Sequence, residues 1–313
     1  AVRDATVRTS ACQHSATISI GGVILPDQAD SVQKAISHSL QALDRAKHKR
    51  FDCFVAFEPS PSRETVRQKN ITIADEVISA LDEDRMHLVL QPMIDARTRQ
   101  PALYECLLRM SRPDGSVISA GEFIPVAEQL GLSRLIDRRT LELSIALLKQ
   151  HEDLKLSLNV SGLTCTDHEW LVSLQRLTCE RRSITSRLVI EITETAAIHD
   201  VDQSIAFVDT LKELGCRVAI DDFGAGYTSF RNLKLLNVDM VKIDGAFVKN
   251  LVNDTSDQVF INTMIELARN FNMETVAEWV GDEETCVILE NMGITYLQGF
   301  HFGMPIPASS YGK

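Results

Sequence analysis

The chain has 313 residues, with 32 Lys and Arg against 43 Asp and Glu and a net charge of -11. That balance argues against a broad basic face gripping nucleic-acid backbone, because counterion release needs clustered cations. Hydrophobic residues make up 44%, ample for a core, and no stretch approaches the ~20 apolar residues that span a bilayer, so a soluble protein is expected.

The seven cysteines (Cys12, Cys53, Cys106, Cys165, Cys179, Cys216 and Cys286) are odd in number and scattered, with no C-x-x-C pair. Reduced thiols in the cytoplasm are the expectation, most of them small core residues. Residues 1–62 carry 7 basic and 6 acidic side chains, so the acidic excess belongs entirely to 63–313, with 25 against 37.

In chain order, Ala16 to Ile20 alternates like a strand and ends at Gly21-Gly22. A helical pattern follows (Val32, Ala35, Ile36, Leu40, Leu43, Ala46), then a strand at Cys53 to Phe57. The run Glu58-Pro59-Ser60-Pro61-Ser62-Arg63 reads as a connector, which places a small unit at 1–62 and a large one at 63–313. Strand candidates in the large unit are 88–90, 103–108, 156–160, 188–192, 218–220, 240–243, 275–277 and 294–297. Helical candidates, such as 135–148, 204–214, 259–271 and 283–292, fall between most of them. Eight strands alternating with helices over about 250 residues predict an α/β fold, a (β/α)8 TIM-type barrel. A doubly wound sheet fits less well, because no glycine-rich phosphate turn follows the first strand.

Polar residues collect near the C-terminal ends of these strands: Glu105, Asn159, Glu191, Asp221 with Asp222, Lys242 with Asp244, Glu278 and Gln298. Any one acid at such a place is as readily a helix N-cap as a catalytic group. As a set they would face one another across one barrel mouth, where such density of charge calls for cations. A carboxylate-rich, sulfur-poor set suits Mg2+ or Mn2+, and two such ions would favour in-line displacement at phosphorus.

The run Tyr104-Glu105-Cys106-Leu107-Leu108-Arg109 resembles the Glu-Ala-Leu signature of the EAL family of cyclic di-GMP phosphodiesterases, with Cys106 in place of alanine. The resemblance continues through Gln91-Pro92, Phe123-Ile124-Pro125, Ala127-Glu128, Asn159-Val160-Ser161, Glu191-Ile192-Thr193-Glu194, the run Asp221 to Tyr227, Lys242-Ile243-Asp244, Ala277-Glu278 and Gln298-Gly299-Phe300. It implies metal ligation by Glu105, Asn159, Glu191 and Asp221, with Asp222 and Asp244 at a second ion. Lys242 would stand beside the attacking water, and Glu278 and Gln298 would complete the network, making Glu105, Lys242, Glu278 and Gln298 catalytic. Substrate contacts are implied for Gln91, Leu107, Arg109 and Asp222. Glu194, Phe223 and Gly224 would support the second metal site, in a segment that often forms a homodimer contact. The implied reaction is metal-dependent hydrolysis of cyclic di-GMP to linear pGpG.

The largest departure is Glu278-Trp279-Val280-Gly281, where the family has Glu-Gly-Val-Glu. Gly281 lacks the second carboxylate. Trp279 either packs under the neighbouring loop or reaches the mouth, narrowing it or stacking on guanine. Ala225, Thr228 and Phe230 depart mildly from the family pattern. A silent cyclic di-GMP receptor and a metal-dependent enolising or aldol enzyme are the competing readings; Glu105 and the Asp221-Asp222 pair speak against the receptor, and the third rests on fold analogy alone. His87, His199 and His301 lack metal-site spacing, and the basic run 45–50 and Arg181-Arg182 read as solvated charge.

Residues 17–22, 42–47 and 51–57 also resemble the C-terminal part of a GGDEF diguanylate cyclase domain. The Gly-Gly-Asp-Glu-Phe signature itself is absent, so no cyclase activity is expected.

Overall fold

The computed structural model describes residues 6–8, 13–15, 18–48, 53–58, 61–179, 181–224 and 230–312. Two compact units emerge, Ala1–Ile71 and Thr72–Lys313.

In the small unit, strand Ile20–Gly22 pairs parallel with Phe54–Ala56, and helix Val32–His48 connects them. The strand expected at 16–20 therefore sits later; residues 16 and 17 lie outside the described set. Gly21 explains the placement, since a side chain there would collide with helix backbone at Ser39, Ala42 and Leu43. The expected connector is shorter than its two prolines suggested. Helix Pro61–Asp82 begins within it, because proline is tolerated in a helix's first turn, where its missing N–H has no partner to lose.

In the large unit eight strands close a barrel: β1 (Met86–Asp95), β2 (Pro101–Ser111), β3 (Leu156–Val160), β4 (Leu188–Thr193), β5 (Arg217–Phe223), β6 (Met240–Ile243), β7 (Glu274–Ala277) and β8 (Tyr296–Gln298). Each overlaps a strand expected from the sequence. Strands β2 to β8 run parallel, but β1 is antiparallel to both of its barrel neighbours. The departure from strict alternation has a local cause. The five residues between β1 and β2 are too few for a crossover helix. They turn tightly instead: Asp95 accepts from the backbone N–H of Arg97 and Thr98, and Arg99 is left-handed at φ 53°.

Strand alternation then sorts the side chains. Outward residues such as Leu108, Leu158, Ile190, Ile220, Ile243 and Leu297 join the surrounding helices in the main core. Inward, Met93, Leu103, Val189, Ala219, Met240 and Val276 form a separate buried apolar layer. Two residues further toward the mouth, on the same strands or one position past their end, stand Gln91, Glu105, Glu191, Asp221, Lys242 and Glu278. The polar set is thus the layer directly above an apolar plug. Of the cysteines, Cys106, Cys165, Cys216 and Cys286 are buried free thiols. No helix among the described residues is long and apolar enough to cross a membrane.

Candidate active site

Lys242 is fully buried at the centre of this layer. Its Nζ lies 2.8 Å from Glu191 Oε2, 2.8 Å from Glu278 Oε1, 3.1 Å from Asp221 Oδ1 and 3.5 Å from Glu105 Oε2. Glu105 is held from two more sides: Asn159 Nδ2 donates to its Oε1 at 2.7 Å and Gln298 Nε2 to its Oε2 at 2.6 Å. Residues from six strands other than β2, with Glu278 one position past β7, thus converge on the Glu105 carboxylate or its lysine partner.

Four carboxylates around one ammonium leave unneutralised charge in a low-dielectric layer. Burial, with the charges of Glu105 and Asp221, pushes the Glu191 carboxyl up to about 8 against the opposing pull of Lys242. The same balance puts Glu278 at about 7. Although burial alone disfavours an ammonium, the surrounding carboxylates hold Lys242 well above its usual value.

The Asp221-Asp222 pair sits where pairing between β5 and β6 shifts register between Ile220 and Phe223, a bulge that aims neighbouring side chains into one site. Asp222 takes a left-handed backbone, φ 54°. Its carboxyl is raised by burial first, then by the charges of Asp221 and Asp244. Oxygens of Asp221, Asp222 and Glu278 lie within 4.8 Å of one another.

These donors fit a hard divalent cation. Glu191 Oε1 and Gln298 Oε1 are buried oxygens without a hydrogen-bond donor, and Asp221 Oδ1 has only the lysine's charge nearby. Buried acceptors seldom stay unsatisfied, and oxygen-only donors suit Mg2+ or Mn2+.

The remaining expected residues divide. Glu194, buried, accepts the Gly224 N–H at 2.8 Å and so fixes the chain just after Asp221-Asp222-Phe223. Gly224 has φ 102°, and a side chain there would press on Phe247 and Phe260. Phe223 is buried beside it. Asp244 Oδ1 accepts from the N–H of Ala246, capping helix Gly245–Val248, so this acid does serve as a cap. Arg109, half-buried, donates to the Leu108 carbonyl at 2.9 Å, and no carboxylate among the described residues pairs with it. Residues 225–229 of the expected supporting loop lie outside the described set.

Gln91 pairs with Glu105 across β1 and β2, and both line a cleft of about 610 Å³ with Leu107, Lys249, Glu278, Trp279, Val280, Gly281, Gln298, Gly299 and Phe300. A second cleft, of about 370 Å³, takes in Leu107, Asn159, Asp221 and Asp222. Leu107 borders both.

Trp279 is 65% exposed, so it does not pack under a loop. Its backbone is left-handed, φ 57°, which accounts for the glycine that the resemblance places there. Gly281 is exposed, and a Cβ there would meet only the Trp279 carbonyl, at 4.0 Å.

One supporting residue escaped the sequence reading. Asp137 is buried and accepts from Ser161 N at 2.9 Å, Ser161 Oγ at 2.6 Å and Thr164 Oγ1 at 2.6 Å, fixing the chain just beyond Asn159. Its signal was an acid between Ile136 and Leu141 on the apolar face of helix Ser133–Gln150.

Residues 74–305 match the family model described as the EAL domain. The chain is 32% identical over 241 residues to the cyclic di-GMP phosphodiesterase PdeF of Escherichia coli K12, covering 76% of this chain and 32% of that protein. It is 30% identical over 296 residues to the bifunctional diguanylate cyclase/cyclic di-GMP phosphodiesterase MucR of Pseudomonas aeruginosa, covering 93% and 43%. The chain therefore spans less than half of these relatives' length. Among solved structures it resembles the PaMucR phosphodiesterase in complex with c-di-GMP, with TM-score 0.72 and 30% identity over 76% of this chain and 98% of that one. The FimX EAL domain of P. aeruginosa bound to c-di-GMP gives 0.70 and 30%, over 75% and 96%.

Proposed function

The chain belongs to the EAL domain family, and from that premise we propose that it hydrolyses one phosphodiester bond of cyclic di-GMP to give linear pGpG. The observation that carries the reading is the cage of Glu105, Glu191, Asp221 and Glu278 around Lys242, with buried acceptors left open beside it. The names and bound ligand of the relatives support the substrate.

In this reading Glu105, Asn159, Glu191, Asp221, Asp222 and Asp244 are the residues that would hold one or two Mg2+ or Mn2+ ions. When bound, such ions lower the pKa of water and offset charge on the phosphoryl oxygens. Lys242 and Glu278, 2.8 Å apart, hold the attacking water, and the Glu278 carboxylate receives its proton. The water oxygen bonds to phosphorus, the ester P–O bond breaks, and the departing ribose oxygen takes a proton from bulk water while Glu278 returns its own to solvent. The Lys242 ammonium favours the negative charge that grows on phosphorus's oxygens, in a layer from which water is largely excluded. Gln298 and Asn159 keep Glu105 in one orientation. Gln91 and Leu107 border the cleft where the nucleotide would lie, and Arg109 supplies a guanidinium suited to a phosphate.

A receptor that binds without cutting is less well supported, since Glu105 and both acids of the Asp221-Asp222 pair are retained. The homodimer expected through the 223–230 segment belongs to the same proposal and rests on the family resemblance. A cytoplasmic setting rests on the scattered free thiols.

Product analysis tests the reaction. With Mn2+ each cyclic di-GMP consumed should yield one pGpG, and EDTA should stop the conversion. Binding without conversion at any metal concentration would make the protein a receptor.

A further inference from the structure

The cleft beside Glu278 contains a feature the catalytic cage does not need. Trp279 carries a large ring on left-handed backbone, yet most of its surface stays in solvent. Such a conformation is unfavourable for a bulky residue and persists where the surroundings impose it. One face of the indole rests on Gly245, where any side chain would collide with Cγ, Cδ1 and Cδ2 of the ring. The ring is therefore held by backbone at one side, while the rest of it borders the cleft. Phe300, 67% exposed, and Lys249 line the same space.

A rigidly backed, exposed indole next to a phosphodiester-cutting centre has the form of a stacking platform for a planar base. Stacking on an aromatic ring adds affinity whatever the base, because every base offers a π face. Resting on the cyclic di-GMP reading above, we propose that Trp279 stacks against one guanine of the bound cyclic dinucleotide and sets ground-state affinity rather than the rate of bond breaking.

The chain has two tryptophans, and the other, Trp170, is 2% exposed and donates its indole N–H to the Asp137 carbonyl. Emission from Trp279 can therefore be followed in the intact protein. On mixing with excess cyclic di-GMP and Mn2+, emission should fall within the mixing step and recover as substrate is consumed. Trp279→Phe should keep KM within about threefold while losing the quench, since a phenyl ring still stacks. Trp279→Gly, which suits the left-handed backbone, should raise KM by roughly tenfold or more with kcat little changed. The inference is overturned if wild-type protein cuts cyclic di-GMP without any change in emission, or if Trp279→Gly keeps the wild-type KM. If calorimetry and product analysis show that wild-type protein neither binds nor cuts cyclic di-GMP, the proposed function falls, and this inference with it.

Discussion

Lys242 Nζ and Glu191 Oε2, from strands β6 and β4 on either side of β5, lie 2.8 Å apart with both side chains almost wholly out of solvent. A buried pair is costly to desolvate, and removing one partner leaves the other uncompensated. Lys242→Met should therefore destabilise the protein by about 3–5 kcal/mol and abolish turnover. Denaturant unfolding checks the first effect; a midpoint equal to wild type would show that the cage does not depend on the lysine.

The Glu191 carboxyl gives this site a sign in pH. Its pKa is raised in the fold from 4.5 to about 8, so folding takes up a proton between those values. Its contribution is most favourable below pH 4.5 and is lost as pH rises through about 8. Metal-free wild type should thus lose stability relative to Glu191→Gln between pH 5 and pH 8, and Mn2+ should narrow the gap. Melting curves at several pH values decide this; a constant difference would contradict it.

Gly281 offers a gain-of-function test. The family resemblance places a carboxylate here that would support the proposed metal site, and the open space at this position accepts a side chain without strain. Gly281→Glu should raise kcat/KM by ~10-fold, the scale of outer-shell effects on metal sites. A rate unchanged across Mn2+ concentrations would show that the missing acid does not limit catalysis.

Asp137 acts through the chain beyond Asn159. Asp137→Ala would leave three donors from Ser161 and Thr164 without their acceptor. A loss of about 2–3 kcal/mol in stability is expected, with weaker metal binding as Asn159 loses its support. If titration with Mn2+ gives the wild-type affinity, Asp137 serves the fold alone.

Much of this site could be read in the sequence because barrel strands are short and alternate strictly. Glu105, Glu191, Lys242 and Glu278 each follow an inward apolar residue two places earlier, so strand register alone brings them together. What was not legible depended on backbone detail. The reversal of β1 came from an Asp95-centred turn, and the helix starting at Pro61 was masked by its prolines and serines. The placement of the Trp279 ring depended on a left-handed φ and on the missing side chain of Gly245, 34 positions away in sequence and beside it in space. Asp244 shows the converse: an acid at a strand end whose observed contact is the cap of a helix, one of the two readings its sequence position allowed.

Cleavage of cyclic di-GMP at the Glu105 cage would show first in the loss of that carboxylate. The most direct measurement is the initial rate of pGpG formation by wild type and Glu105→Ala, with Mg2+ or Mn2+ and saturating cyclic di-GMP. Wild type should convert the substrate steadily, and the variant should lose at least ~10²–10³-fold in rate. Equal rates in the two proteins, or no pGpG from wild type with either metal, would contradict it.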